Sequence, residues 1–196
     1  MYPNLNKALY LDSDIVVDGD IAELYNTPLN YTFVGAIHDR AVGSLAVEFQ
    51  EYVLNRIGVK KVENYFNAGV LLMNLKRLRE INFENIFLQL LTKVTFNVAQ
   101  DQDYLNVICN ENVTYIDRTW NTMPFKAKGE ILPEHPRLIH YNLSFKPWHA
   151  DNIMFEDIFW NWAKQTSYYD EILKIKQNYS PEMQKKSQEE TVNLIK

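Results

Sequence analysis

The sequence predicts an α/β sandwich: a mixed, mostly parallel sheet flanked by helices. Two observations carry that expectation. Short apolar runs of strand length alternate with segments whose apolar residues fall at helical spacing. The chain also has 196 residues, 46% hydrophobic and 23% charged, which suits one domain with a sizeable core.

The elements follow in order. Ala8-Leu9-Tyr10-Leu11 is a short apolar run with the profile of a buried strand, and Ile15-Val16-Val17 is a second β-prone stretch. Asp18-Gly19-Asp20 forms a turn, and Asp20 with Glu23 has capping-box spacing for a short helix over Ile21 to Tyr25. Tyr31 to Ile37, Val70 to Leu75, Val113 to Ile116 and Arg137 to Tyr141 read as further strands. Helices are predicted near 47–57 with Gly58 as the stop, and near 83–92, 102–109, 155–164 and 168–176. Asn67-Ala68-Gly69 reads as a turn before a strand. Residues 1–178 form one domain and 179–196 a solvated polar tail.

Composition narrows the function classes. A net charge of −5 offers no basic stripe for nucleic acid. No apolar run approaches the roughly 20 residues of a membrane-spanning helix. The first residues lack the order of a secretory signal. A single cysteine, Cys109, excludes an internal disulfide and a multi-cysteine metal site. The expected location is the cytoplasm, with peripheral contact at the inner membrane face. Aromatics at 13% are read as core packing.

Asp12 and Asp14 stand one residue apart just past a buried strand, so two carboxylates meet at the sheet edge, where α/β folds gather ligands. Such oxygens suit a hard divalent cation that bridges to phosphate. Acidic caps after strands give the same pattern, so the pair alone is a weak signal.

Four stretches in order add specificity: YLDSDIVVDGDIAELY, YFNAGVLLMNLKRLRE, QDQDYLN and IHYNLSFKPWH, covering most of residues 1–150. Together they resemble the retaining family-8 glycosyltransferases, the group that includes bacterial lipopolysaccharide galactosyl- and glucosyltransferases and glycogenin. The resemblance implies a GT-A-type sandwich. It implies Asp12, Asp14 and His140 as ligands of Mn²⁺ (or Mg²⁺), and Lys146 on the diphosphate of a UDP-hexose donor. Asn67 and Asp101 would bind the sugar, Gln102 and Asp103 would carry the catalytic roles, and the acceptor hydroxyl would belong to a glycan, lipid-linked glycan or glycoprotein. Amides and carboxylates suit vicinal hydroxyls because each bonds in two directions.

Two departures stand out. The family commonly has glycine three residues after the metal-binding histidine, where this chain has Leu143. The family's uridine-binding strand and loops precede the DxD, so the fold is expected to be incomplete at the N-terminus. Two alternatives stay open. One is a truncated, catalytically inactive binding module. The other is a haloacid-dehalogenase-type phosphatase with Asp12 as nucleophile and Asp14 as acid, for which the later acidic metal motif is missing.

Overall fold

The computed structural model describes residues 3–42, 47–96, 98–126 and 130–195, with side chains to residue 189. Met1 and Tyr2 lie outside the described residues. The strands are β1 (Ala8–Leu11), β2 (Ile15–Val17), β3 (Val34–His38), β4 (Phe66–Met73), β5 (Val113–Tyr115) and β6 (Leu138–His140). They form a four-stranded sheet in the order β1-β4-β3-β5 and a two-stranded sheet of β2 with β6.

The α/β class and the mixed sheet are as expected, but the strands are not mostly parallel. β1 and β3 both run antiparallel to β4, and β2 runs antiparallel to β6; β3 with β5 is the parallel ladder. Buried apolar runs signal two covered faces, and they say nothing of strand direction. Leu9 and Leu72 are paired residues of one sheet.

β4 is the central element and is buried from Phe66 to Leu72. Its register against β3 slips: Gly35 pairs with Leu72, whereas Ile37 pairs with Asn67. Five steps on β4 thus oppose two on β3, and an odd surplus exchanges the faces of the strand. Val70 and Leu72 pack with Leu24, Ile37, Trp120 and Leu138, while Phe66, Ala68 and Leu71 pack with Val34, Leu78 and Cys109 on the opposite side. The expected turn at Asn67-Ala68-Gly69 is this irregular part of β4.

The helices are α1 (Ile21–Tyr25), α2 (Val47–Tyr52), α3 (Leu75–Glu80), α4 (Phe83–Lys93), α5 (Asp101–Cys109), α6 (Glu156–Ala163), α7 (Tyr169–Asn178) and α8 (Pro181–Ile195). Asp20 caps α1 by accepting the Ala22 N–H at 2.9 Å, but Glu23 pairs with Arg137 and does not complete the box. After α2 the backbone widens into a π-turn over Val53–Ile57, which Gly58 ends at φ 84°. The strand expected to run to Leu75 ends at Met73, and α3, where the sequence predicts no helix, begins at Leu75; Asn74 starts it by accepting the Arg77 N–H at 3.2 Å. The polar tail expected from 179 is helical over Pro181–Ile195 as α8, and Lys196 lies outside the described residues. Among the described residues no helix is long and apolar enough to cross a membrane.

Candidate functional site

Backbone register assembles the site. The β1–β4 ladder continues one residue past β1, with the Asp12 N–H donating to the Gly69 carbonyl at 2.9 Å. The β2–β6 ladder sets Ile15 opposite His140, and the Tyr141 N–H donates to the Asp14 carbonyl at 2.9 Å. Both aspartates therefore leave their strands facing the buried His140 ring. His140 Nε2 lies 3.5 Å from Asp12 Oδ2 and 3.2 Å from Asp14 Oδ1. One ligand atom from each of the three falls within 4.8 Å of the others.

Gly69 makes this approach possible. A Cβ there would overlap the His140 ring and stand 2.8 Å from Asp12 Oδ2. Gly69→Ala is expected to weaken Mn²⁺ binding sharply and to cost about 1–3 kcal/mol through overpacking. Mn²⁺ titration by EPR, with a melting curve alongside, checks this; unchanged affinity would contradict the packing argument.

The three side chains border a cavity of about 370 Å³, also lined by Asn67, Asp101 and Gln102. Six of the eight residues singled out in the sequence thus come together. Gln102 is firmly held: its Oε1 accepts the Ala68 N–H at 2.9 Å and Asn67 Nδ2 at 3.2 Å, and its Nε2 donates to Asp39 Oδ2 at 3.0 Å. Asp101 sits exposed at the first residue of α5.

Lys146 is held at the site's edge. Its Nζ donates to Asp14 Oδ2 at 2.6 Å and to the Tyr141 carbonyl at 2.8 Å, and it lies 5.4 Å from the Trp148 ring centre. Burial opposes ionisation of Asp14, but the hydrogen bonds from His140 and Lys146 outweigh it and hold the carboxyl well below its usual range. A depressed carboxyl stabilises the fold at pH values above its unfolded value of roughly 4, and that contribution is lost as pH falls below it. In EDTA, Lys146→Met is therefore expected to lower stability at neutral pH and to flatten the decline of melting temperature towards pH 2. Parallel curves for parent and variant would refute it.

Asp103 does not reach the cavity. It is fully buried, accepting the Tyr65 hydroxyl at 2.6 Å, the Tyr52 hydroxyl at 2.8 Å and the Ala99 N–H at 3.0 Å. Its catalytic expectation is corrected on that ground: on α5, Gln102 and Asp103 point about 100° apart, so only one can face the sheet edge. Burial, then the Asp103 carboxylate, push the Tyr65 and Tyr52 phenols upward.

Sequence reading missed three residues. Asp39 follows β3, lines the cavity and accepts from Asn67 Nδ2 at 3.2 Å as well as from Gln102. A carboxylate just past a strand was its available signal. Tyr10 donates to Asp12 Oδ1 at 2.8 Å, and that hydrogen bond, then burial, raises its phenol to about 12. Asn121, buried between His140 and Asn67, had no periodic signal. Gln100 and Leu143, which also border the cavity, hold positive φ of 46° and 52°, a strained backbone for residues other than glycine.

Two carboxylates and one imidazole nitrogen are a mixed oxygen and nitrogen donor set, which fits Mn²⁺ and is less usual for Ca²⁺. Residues 1–152 match glycosyl transferase family 8. The chain belongs to that family. It is 29% identical over 158 residues to the lipopolysaccharide 1,2-glucosyltransferase of Escherichia coli (strain K12), which covers 74% of this chain and 45% of that protein. Among solved structures, WbbM, described as a bifunctional glycosyltransferase in its apo form, superposes with a TM-score of 0.78 at 25% identity, covering 89% of this chain and 35% of the other. The galactosyltransferase LgtC in complex with donor and acceptor sugar analogs gives 0.66 at 29% identity, covering 84% and 63%. The family-8 chain is thus GT-A-type in fold, and it spans about half the length of the curated relatives it matches. Family membership sets the phosphatase alternative aside.

Proposed function

We propose that this family-8 chain carries the metal-binding and sugar-handling part of a retaining transferase that moves a hexose from a UDP-sugar to a hydroxyl of a glycan or lipid-linked glycan. The observation that supports it most is the convergence of Asp12, Asp14 and His140 at the mouth of the cavity that Gln102 lines. Asp12, Asp14 and His140 Nε2 would hold Mn²⁺ or Mg²⁺, which supplies positive charge to the diphosphate of the donor. Lys146 adds a compact cation to the leaving group, an interaction stronger in the transition state than in the ground state. Asp101 and Asn67 orient sugar hydroxyls. Gln102, tied to the Ala68 N–H and Asp39, presents its carboxamide to the donor sugar and acts by positioning. Gln102 Oε1 already accepts from the Ala68 N–H and from Asn67 Nδ2, so its lone pairs are engaged rather than free to attack the anomeric carbon, which favours front-face displacement assisted by the leaving phosphate.

The test incubates the chain with UDP-hexose and Mn²⁺ and follows UDP release and the product anomer by NMR. Turnover that stops with EDTA and retains configuration is the expected result, slowed by Gln102→Ala with metal still bound. An inverted product or EDTA-insensitive turnover overturns the mechanism. Binding of UDP with Mn²⁺ and no turnover favours the inactive module.

A further inference from the structure

Two backbone N–H groups at the irregular part of β4 set the direction of a whole chain of side-chain amides. The Gly69 N–H donates to Asn67 Oδ1 at 3.0 Å, and the Ala68 N–H donates to Gln102 Oε1 at 2.9 Å. A backbone N–H is only a donor, so both oxygens are fixed where they stand. Asn67 Nδ2 then faces Gln102 Oε1 and Asp39 Oδ2, both acceptors, at 3.2 Å each. Asn121 contacts Asn67 Oδ1 at 2.9 Å, and an oxygen there needs a donor, so the Asn121 nitrogen takes that side. Its oxygen is left facing His140 Nδ1 at 3.1 Å. An amide oxygen only accepts, so Nδ1 donates to it, and Nε2, which faces the Asp12 and Asp14 carboxylates, is the nitrogen that gives up its proton when a metal ion takes its place.

We propose that Asn121 is a positioning residue with two separable tasks. Its oxygen fixes the tautomer and plane of His140 for metal binding, and its nitrogen ties the metal end of the site to the carboxamide of Gln102 through Asn67. Asn121 is built for such a role. It is 2% exposed, and the chain either side of it is pinned: its own N–H bonds to the Arg118 carbonyl at 3.1 Å and Thr122 lies against Ile139 in β6. Thr122 also receives the His140 N–H on its carbonyl at 3.0 Å, which locks Asn121 and His140 side by side. A residue that merely filled space here would have no reason to present opposite ends to two fixed partners.

This inference deepens the proposed function: its first task rests on the metal-site reading and its second on the transferase reading. The experiment uses the full chain, with Mn²⁺ as the probe, read by EPR, and long-range ¹H–¹⁵N correlation of the His140 ring at a pH where the ring is neutral. Asn121→Leu removes both tasks, and a partner of this kind typically changes metal affinity about 10–100-fold. That loss is expected here, with a mixture of ring tautomers and a melting curve showing a folded protein. Asn121→Asp keeps the acceptor for Nδ1 and replaces the donor facing Asn67. It is expected to hold Mn²⁺ within about 3-fold of the parent while turnover falls more than about 10-fold. Parent-like Mn²⁺ affinity in a folded Asn121→Leu protein, or a parent ring protonated at Nε2 alone, overturns the proposal. If the parent itself binds no Mn²⁺, the metal-site reading fails, and the ring tautomer still decides the role of Asn121 even where a variant does not fold.

Discussion

Asp12→Ala is expected to lower turnover by about 10²–10³-fold, equivalent to roughly 3–4 kcal/mol of transition-state stabilisation, while leaving the fold nearly as stable as before. The asymmetry follows from what Asp12 touches. Its side chain accepts from Tyr10, a residue 44% exposed, and otherwise faces His140 across 3.5 Å. Water replaces the lost tyrosine partner, so the folding cost is about 1 kcal/mol or less. The metal, by contrast, loses one of the three groups that would hold it. Asp14→Ala should match the loss of turnover but cost more in stability, because Asp14 also pairs with Lys146 and carries the depressed carboxyl described above. The measurements are Mn²⁺ titration by EPR, UDP release and a melting curve in EDTA. In Asp12→Ala the Tyr10 phenol should also return from about 12 towards its ordinary value near 10. Normal Mn²⁺ affinity in Asp12→Ala, or a collapse in stability large enough to explain the loss of turnover, would remove the aspartate from the metal site.

Much of this site was legible because its signals are local. An apolar strand ending in two carboxylates can be read from eight residues, and so can the helical period of Phe83, Phe87 and Leu90 that defines α4. The motif order then named the family's ligands. What escaped was set by register. Nothing in the Phe66–Met73 run reveals that β4 carries a surplus against β3, yet that slip lets the Ala68 and Gly69 N–H groups meet side-chain amides. Asn121 and Asp39 follow from it, since each earns its place by a partner far away in sequence. Strand direction was lost for the same reason: burial on both faces gives the same apolar run to a parallel and an antiparallel strand. Asp103 was misread because QDQDYLN offers four polar residues in a row and helical geometry decides which one turns inward.

That last point has a large measurable consequence. Asp103→Ala is expected to destabilise the fold by about 3 kcal/mol or more, because removing one partner of a buried, hydrogen-bonded charge strands the others. The Tyr65 hydroxyl, fully buried, and the Ala99 N–H lose their acceptor, and the Tyr52 hydroxyl loses the bond that ties it to α5. At roughly 2–4 °C per kcal/mol for a chain of this size, the melting temperature should fall by about 6–12 °C. Gln102→Ala, one residue earlier, releases the Ala68 N–H beside the cavity, where solvent can take the place of the lost acceptor, and should cost only about 1 kcal/mol. The pair therefore separates folding from chemistry within one turn of α5. The sign of the alkaline limb gives a second reading. Folding raises the Tyr52 and Tyr65 phenols, so their contribution is present below the unfolded value of roughly 10 and is lost as pH rises above it. Without the Asp103 carboxylate part of that elevation goes, and the variant's stability should fall less steeply between pH 9 and 11, followed by circular dichroism. Should Asp103→Ala melt with the parent and yet lose turnover, the carboxylate belongs to the reaction and not to the support of α5.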